Sequence, residues 1–227
     1  MDPENHRSYW YEDGDIVIIA ANTFKFRVHK NKLAIHSSVL KARTVAPHQE
    51  VIDGYPTIRL DDDADDVGCM LQGIYDTRAF DAEQLSFDFV SASLRLGTKY
   101  KIGSIRVNAI ARLTAFWPNT LAEYDRGRAQ DSTCINMCYN DAYAEEFVAA
   151  QLALTYDIPE LLPVVLYGCC TWTTDNLADA LKRTEKKFGH TTPLPSLYLL
   201  SMVTKGAVEL TKLRGKVLFA FLDGELI

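Results

Sequence analysis

The sequence is short of most things that a catalytic, secreted or membrane-spanning chain requires. No apolar run approaches the ~18 residues that cross a bilayer. There is no Gly-X-Ser-X-Gly, no Gly-X-X-X-X-Gly-Lys-Ser/Thr, no Gly-X-Gly-X-X-Gly and no His-Glu-X-X-His, and the glycines are scattered, so no loop is built to cradle phosphate. The five cysteines form no Cys-X-X-Cys pair, and Asn-X-Ser/Thr is absent. The first ten residues are polar and charged with no apolar core, which reads as the absence of a secretory leader. Together these point to free thiols in a reducing, intracellular compartment, cytoplasm or nucleus. Excess positive charge is also missing. Lys and Arg number 24 against 30 Asp and Glu, for a net charge of −6, so the chain repels phosphate backbones and anionic lipid surfaces.

What is present is an ordinary globular composition, 48% hydrophobic and 24% charged over 227 residues. A chain of this size buries roughly 70% of its unfolded surface and needs no staples. Asp15-Ile-Val-Ile-Ile-Ala20 is a β-branched apolar run that predicts a strand buried on both faces. Ala21-Asn22 is a turn, and Thr23 to Val28 alternates apolar and cationic residues, so residues 15–28 predict a hairpin. Two short helices follow, Lys30 to His36 and a second piece capped by Ser37-Ser38. Thr44 to Pro56 reads as loop, and Thr57 to Leu60 as a short strand. The acidic run Asp61–Asp66 opens a helix carrying Val67, Met70, Leu71, Ile74 and Tyr75. Carboxylates are favoured there by the helix dipole, and the run lacks the ligand spacing of a hard-cation loop. Amphipathic helices are expected over Ser86 to Tyr100 and Lys101 to Phe116, then a polar linker over 119–131. The second half reads as all helix: Cys134 to Tyr156, Glu160 to Trp172, Asp175 to Lys187 and Ser196 to Leu213, with a last apolar stretch at Val217 to Leu222.

The order of blocks carries a likeness. Asp13-Gly-Asp-Ile-Val-Ile18, Phe26-Arg-Val-His-Lys30, Leu33-Ala34, Ser37-Ser38-Val39-Leu40, Ile58-Arg-Leu60, Leu71 to Tyr75 and Leu96-Gly-Thr-Lys-Tyr-Lys-Ile102 together resemble the BTB/POZ signature over residues 11–117. Trp10 to Asp15 and the pattern Ala153 to Cys170 further resemble the BTB proteins of mushroom-forming fungi. The resemblance implies an α+β fold, a small mixed sheet flanked by helices. An all-helical, BACK-like extension over 132–222 follows it. Relatives often continue further past the last apolar segment. It implies a protein-interaction module, not an enzyme, with protein partners and with no cofactor, metal or small-molecule substrate. It also implies a homodimer; many dimeric relatives swap an N-terminal helix and strand, and with so few residues ahead of the hairpin an unswapped contact is expected here.

Several residues are singled out as interface candidates. In BTB relatives an acidic residue opening the first strand and a basic residue after the histidine line a charged pocket at the dimer interface; Asp15 and Lys30 match, the plain alternative being a surface ion pair worth about 0–1 kcal/mol. Tyr9, Trp10 and Tyr11 either pack on the domain's own surface or join an interface, where aromatics are enriched. In cullin-recruiting relatives an apolar-X-Glu triplet docks on the ligase scaffold. Here Glu50 is present but His48 takes the apolar place, which weighs against a cullin scaffold and leaves the ligase-adaptor role as the alternative. Thr44 stands where relatives often carry an aromatic, and Asp76-Thr77 replaces Thr-Gly. His29 is expected to pair with backbone where strand turns into helix. His36, His48 and His190 lie in separate segments, and Cys134, Cys138, Cys169 and Cys170 read as small apolar residues more readily than as a zinc set. The cluster Lys182, Arg183, Lys186 and Lys187 reads as a solvated face before a targeting signal.

Overall fold

A computed structural model describes residues 4–46, 50–120, 122–123, 134–136, 142–171, 177–182 and 197–222. Side chains are described for these except residues 4–7, 142–144, 197 and 217–222. The chain divides into two compact units, residues 1–116 with 133–136, and residues 117–132 with 137–227.

The first unit is built around the apolar run read from the sequence. Strands β1 (Glu4–Trp10), β2 (Ile16–Ala20), β3 (Phe24–Val28), β4 (Glu50–Ile52) and β5 (Tyr55–Leu60) form one mixed sheet in the order β1-β3-β2-β5-β4. Every residue of β2 is fully buried, as expected for a strand with apolar side chains on both faces. β2 and β3 form the expected antiparallel hairpin, Ile16 opposite Val28 and Ala20 opposite Phe24. Its turn places Ala21 at φ 43° and Asn22 at φ 58°, the paired left-handed conformation that matches the strand twist. Asn accepts that conformation readily; Ala does not.

Helices α1 (Lys30–His36) and α2 (Ser38–Thr44) follow as the sequence implied, with Ser37 Oγ accepting from the Leu40 N–H to cap α2. They carry the chain across to β5, which pairs parallel with β2 from Val17–Thr57 to Ala20–Leu60. One expectation is corrected here. Thr44 to Pro56 is not all loop: Glu50–Ile52 forms β4, closed onto β5 by a turn with Asp53 at φ 53° and Gly54 at φ 83°. Pro56 lies inside β5, where β2 has not yet begun to pair, so its missing N–H costs no bond to that neighbour. The polar lead-in is also a strand: β1 adds parallel to β3, with an irregularity between Asn5 and Trp10. Its polar side chains hide the alternation that marks a strand, and it sits on the edge that β3 offers.

Helices α3 (Ala64–Tyr75), α4 (Phe87–Lys99) and α5 (Gly103–Phe116) complete the unit. The acidic run does three separate jobs at their junction. Asp63 caps α3 by accepting from the Asp65 N–H. Asp62 accepts from the Lys99 ammonium, 2.6 Å, and from the Tyr100 hydroxyl. Asp66 takes the Arg95 guanidinium through both carboxylate oxygens at 2.6 Å, and Arg95 is only 6% exposed. Burial pushes the Asp66 carboxyl up against the opposing pull of Arg95. Gly97 lets α4 approach α5: a Cβ there would lie 3.0 Å from the Arg106 amide nitrogen.

A last element of this unit was not foreseen. Leu85–Ser86 (β6) pairs parallel with Ile135–Asn136 (β7), and the Leu85 N–H donates to the Cys134 carbonyl. The helix expected from Cys134 therefore starts later, as α6 (Ala142–Thr155), because Ile135 is buried as strand.

In the second unit, α6 packs on α7 (Leu162–Cys170), and α7 on α8 (Leu197–Leu222). Pro163 sits in the first turn of α7, where its missing N–H is an orphan in any case. Glu160 to Trp172 thus contributes a shorter helix than expected. The segments expected at Ser196 to Leu213 and Val217 to Leu222 are one continuous helix that runs through Gly215. Residues 177–182 are helical; the rest of Asp175 to Lys187, and most of the linker 119–131, lie outside the described residues.

Two outcomes follow for stability. Asp66→Asn leaves Arg95 buried without its counter-charge and costs ~3–5 kcal/mol, whereas the double change Asp66→Leu with Arg95→Met costs far less, both read from denaturant unfolding. Ala21→Gly relieves a left-handed alanine and raises stability by ~1 kcal/mol in the same experiment.

Candidate interaction surface

The residues singled out around the hairpin converge where β1, the end of β3 and the end of α3 meet. The Tyr11 N–H donates to the Arg27 carbonyl, carrying the β1–β3 ladder one residue past Trp10. This sets Tyr9 with its ring 6.4 Å from Phe26 and 6.5 Å from Tyr75. Tyr11 stacks on Tyr75 at 4.9 Å and 15°, with the His29 ring 5.2 Å away. Both tyrosines thus pack on their own domain. Trp10 is half-buried, opposite Arg27 in the β1–β3 register.

His29 is tied by a phenol and a carboxylate, which corrects the expectation of a backbone partner for its side chain. Its backbone N–H donates to the Tyr75 hydroxyl at 2.9 Å, and its Nδ1 lies 2.9 Å from the same oxygen. The phenol oxygen thus joins the His29 amide and its ring, the donor in the second contact being set by the imidazole tautomer. On the other side of the ring, Nε2 faces Asp13 Oδ1 at 3.2 Å. Burial pushes the Tyr75 phenol up to about 12, against the lowering effect of the His29 N–H. Tyr9 is likewise pushed up to about 12, mainly by burial and then by Tyr11, Cys69 and Asp76. Asp13, His29 and Tyr75 have the connectivity of an orienter, a base and a nucleophile. Through these contacts the end of α3 is tied to the β3–α1 junction.

Asp15 and Lys30 meet through the backbone: Asp15 Oδ1 accepts from the Lys30 N–H at 2.8 Å. This occupies a first-turn amide of α1, whose N-cap His29 offers no side-chain cap. The carboxylate is exposed and Lys30 half-buried. Lys32 lies 6.0 Å from the Tyr75 ring centroid.

Glu50 is elsewhere, on the β4 edge of the sheet. Arg59 on β5 grips its carboxylate with Nε and a terminal nitrogen, 2.8 and 2.9 Å, and reaches the Asn22 side chain at 2.6 Å. The Arg59 hydrogen bond holds the Glu50 carboxyl below its ordinary value. Val45 and Val51 on either side are 74% and 64% exposed. His48 lies outside the described residues.

No protein-family model matches the chain, and no curated protein is a significant match to it.

Among the described residues no group of His, Cys, Asp and Glu is placed to hold a metal ion. Burial pushes the Cys69 thiol up to about 12, reinforced by Asp66, Asp65 and Asp88, and pushes Cys134, Cys169 and Cys170 upward too. Such thiols resist the deprotonation that nucleophilic or metal-binding cysteine requires. No helix among the described residues is long and apolar enough to cross a membrane. In the sequence, Tyr75 and Asp13 stand out only as parts of a helix stripe and a strand opening. Their link to His29 had no periodic signal, since three separate elements supply it.

The raised phenols set the behaviour of this surface in alkali. Unfolded tyrosines titrate near 10, and the folded state keeps Tyr9 and Tyr75 protonated to about 12. Between these values the folded chain binds more protons than the unfolded one, so stability falls as pH rises through that window. Tyr9→Phe removes one contributor and flattens the fall, measured as urea midpoints across the alkaline range.

Proposed function

We propose that the chain is a protein-interaction module whose α+β unit is of the BTB/POZ kind and whose later helices form a BACK-like extension. It works by self-association or by docking protein partners, in a reducing compartment of the cytoplasm or nucleus. One observation supports this above the others. The blocks that carry the resemblance, Asp13 to Ile18 and Phe26 to Lys30, lie on adjacent strands, and the Asp15 carboxylate fixes the Lys30 amide at 2.8 Å. The two residues that line the charged interface pocket of BTB relatives therefore stand together at one end of the hairpin. Half-buried Trp10 on β1 is of the residue type enriched at interfaces.

A second reading, an adaptor for a cullin-type ubiquitin ligase, draws on Val45 and Val51, exposed on either side of Glu50. Against it stands the Glu50 carboxylate, already engaged by Arg59, which a scaffold would have to displace or share.

Light scattering at micromolar concentration is expected to give a mass above one copy, and Lys30→Glu to lower it. A calorimetric titration with the N-terminal domain of a BTB-recruiting cullin separates the two readings. Saturable binding at micromolar Kd or tighter, weakened by Val51→Glu, establishes the adaptor. Absence of heat removes it and leaves a scaffold with other partners. A monomer at every concentration removes self-association, and with no heat as well only the docking of another protein partner is left.

A further inference from the structure

The helix α8 changes character along its length. Leu199 and Val203 are buried, at 0% and 2% exposure. Gly206 lies so close to Cys170 on α7 that a Cβ there would collide with its sulfur, and the Cys170 thiol donates to the Val203 carbonyl at 3.5 Å. From 207 to 216 no residue is buried, although the apolar stripe runs on. Leu210 is half-buried and Leu213 is 57% exposed. Val203, Gly206, Leu210 and Leu213 follow the alternating three- and four-residue spacing of heptad positions a and d, and the sequence continues it at Val217 and Ala220.

The charges beside this stripe choose the partner. With Leu210 at a and Leu213 at d, Glu209 falls at g and Arg214 at e, the two positions whose charges meet across a coiled pair. In a parallel, in-register pair, g of one helix faces the following e of the other, so Glu209 of each copy meets Arg214 of the other. An antiparallel pair would instead set Glu209 against Lys216 at the next g and leave Arg214 out of the ion pairs, so only the parallel pair draws on Arg214. Lys205 and Lys212 both fall at c, off the seam, where their repulsion is weakest. The short reach of the exposed stripe is offset by its backbone, which is already helical and anchored on α7, so nucleation is not a further cost.

We propose that residues 207–216 of α8 form a self-docking surface, occupied by the same segment of a second copy in a parallel coiled pair. This surface belongs to the second unit and is independent of the BTB/POZ reading of the first.

Sedimentation velocity on the full chain, from micromolar to several hundred micromolar, is the test. Wild type is expected to self-associate, and Leu213→Glu to weaken that association at least ~10-fold, as removal of a central apolar anchor does. Circular dichroism checks that the variant remains folded, since Leu213 is exposed. Glu209→Arg and Arg214→Glu each weaken association, and the double swap restores it, which no merely structural role for either residue would produce. A chain that is monomeric throughout overturns the proposal. So does association that ignores Leu213→Glu, or a double swap weaker than either single change. Association that ignores Leu213→Glu but falls with Lys30→Glu sinks this surface and leaves the first unit's intact.

Discussion

The first unit depends on a strand with no solvent side. Ile16 to Ala20 are wholly buried, and each large side chain withdrawn from water contributes ~1.5–3 kcal/mol. That gain is available only if both faces of β2 are covered and both of its edges are paired. β3 takes one edge by a tight turn and β5 takes the other by a crossover through α1 and α2. The remaining strands are consequences: β1 adds to β3 and β4 to β5, and the two outermost strands carry the polar and exposed residues that an edge tolerates.

Around this apolar centre the polar groups act at junctions. Asp62, Asp63 and Asp66 sit within one turn of sequence, yet one ties Lys99 and Tyr100, one caps α3 and one neutralises a buried guanidinium. The Tyr75–His29–Asp13 chain does the same at the other end of α3. Helix α3 is thus held at both termini by side chains from other elements, which keeps the surface bearing Tyr9, Tyr11 and Lys30 in a single arrangement.

Much of the fold was legible because the local signals were strong. The β-branched run of β2, the alternation of β3, and the serines ahead of α2 and α4 each state their structure within a few residues. Elements whose stability comes from elsewhere were not legible. β1 is polar and becomes a strand only because β3 offers an edge, and β7 is two residues long and exists because β6 lies beside it. The same division holds for the candidate surface. Asp15 and Lys30 could be named from the order of blocks, but that their contact runs through an amide could not. The tie at His29 draws on three elements and leaves no trace in spacing.

The parallel pairing of β2 with β5 also governs the order in which this architecture can be assembled. The β2–β3 hairpin closes across Ala21, Asn22 and Thr23 alone, while the β2–β5 ladder encloses β3, both short helices and β4. Loop-closure entropy makes the first contact cheap and the second slow. During synthesis the most apolar strand of the protein is therefore half-sheltered early and must wait, with one edge open, until Leu60 has emerged.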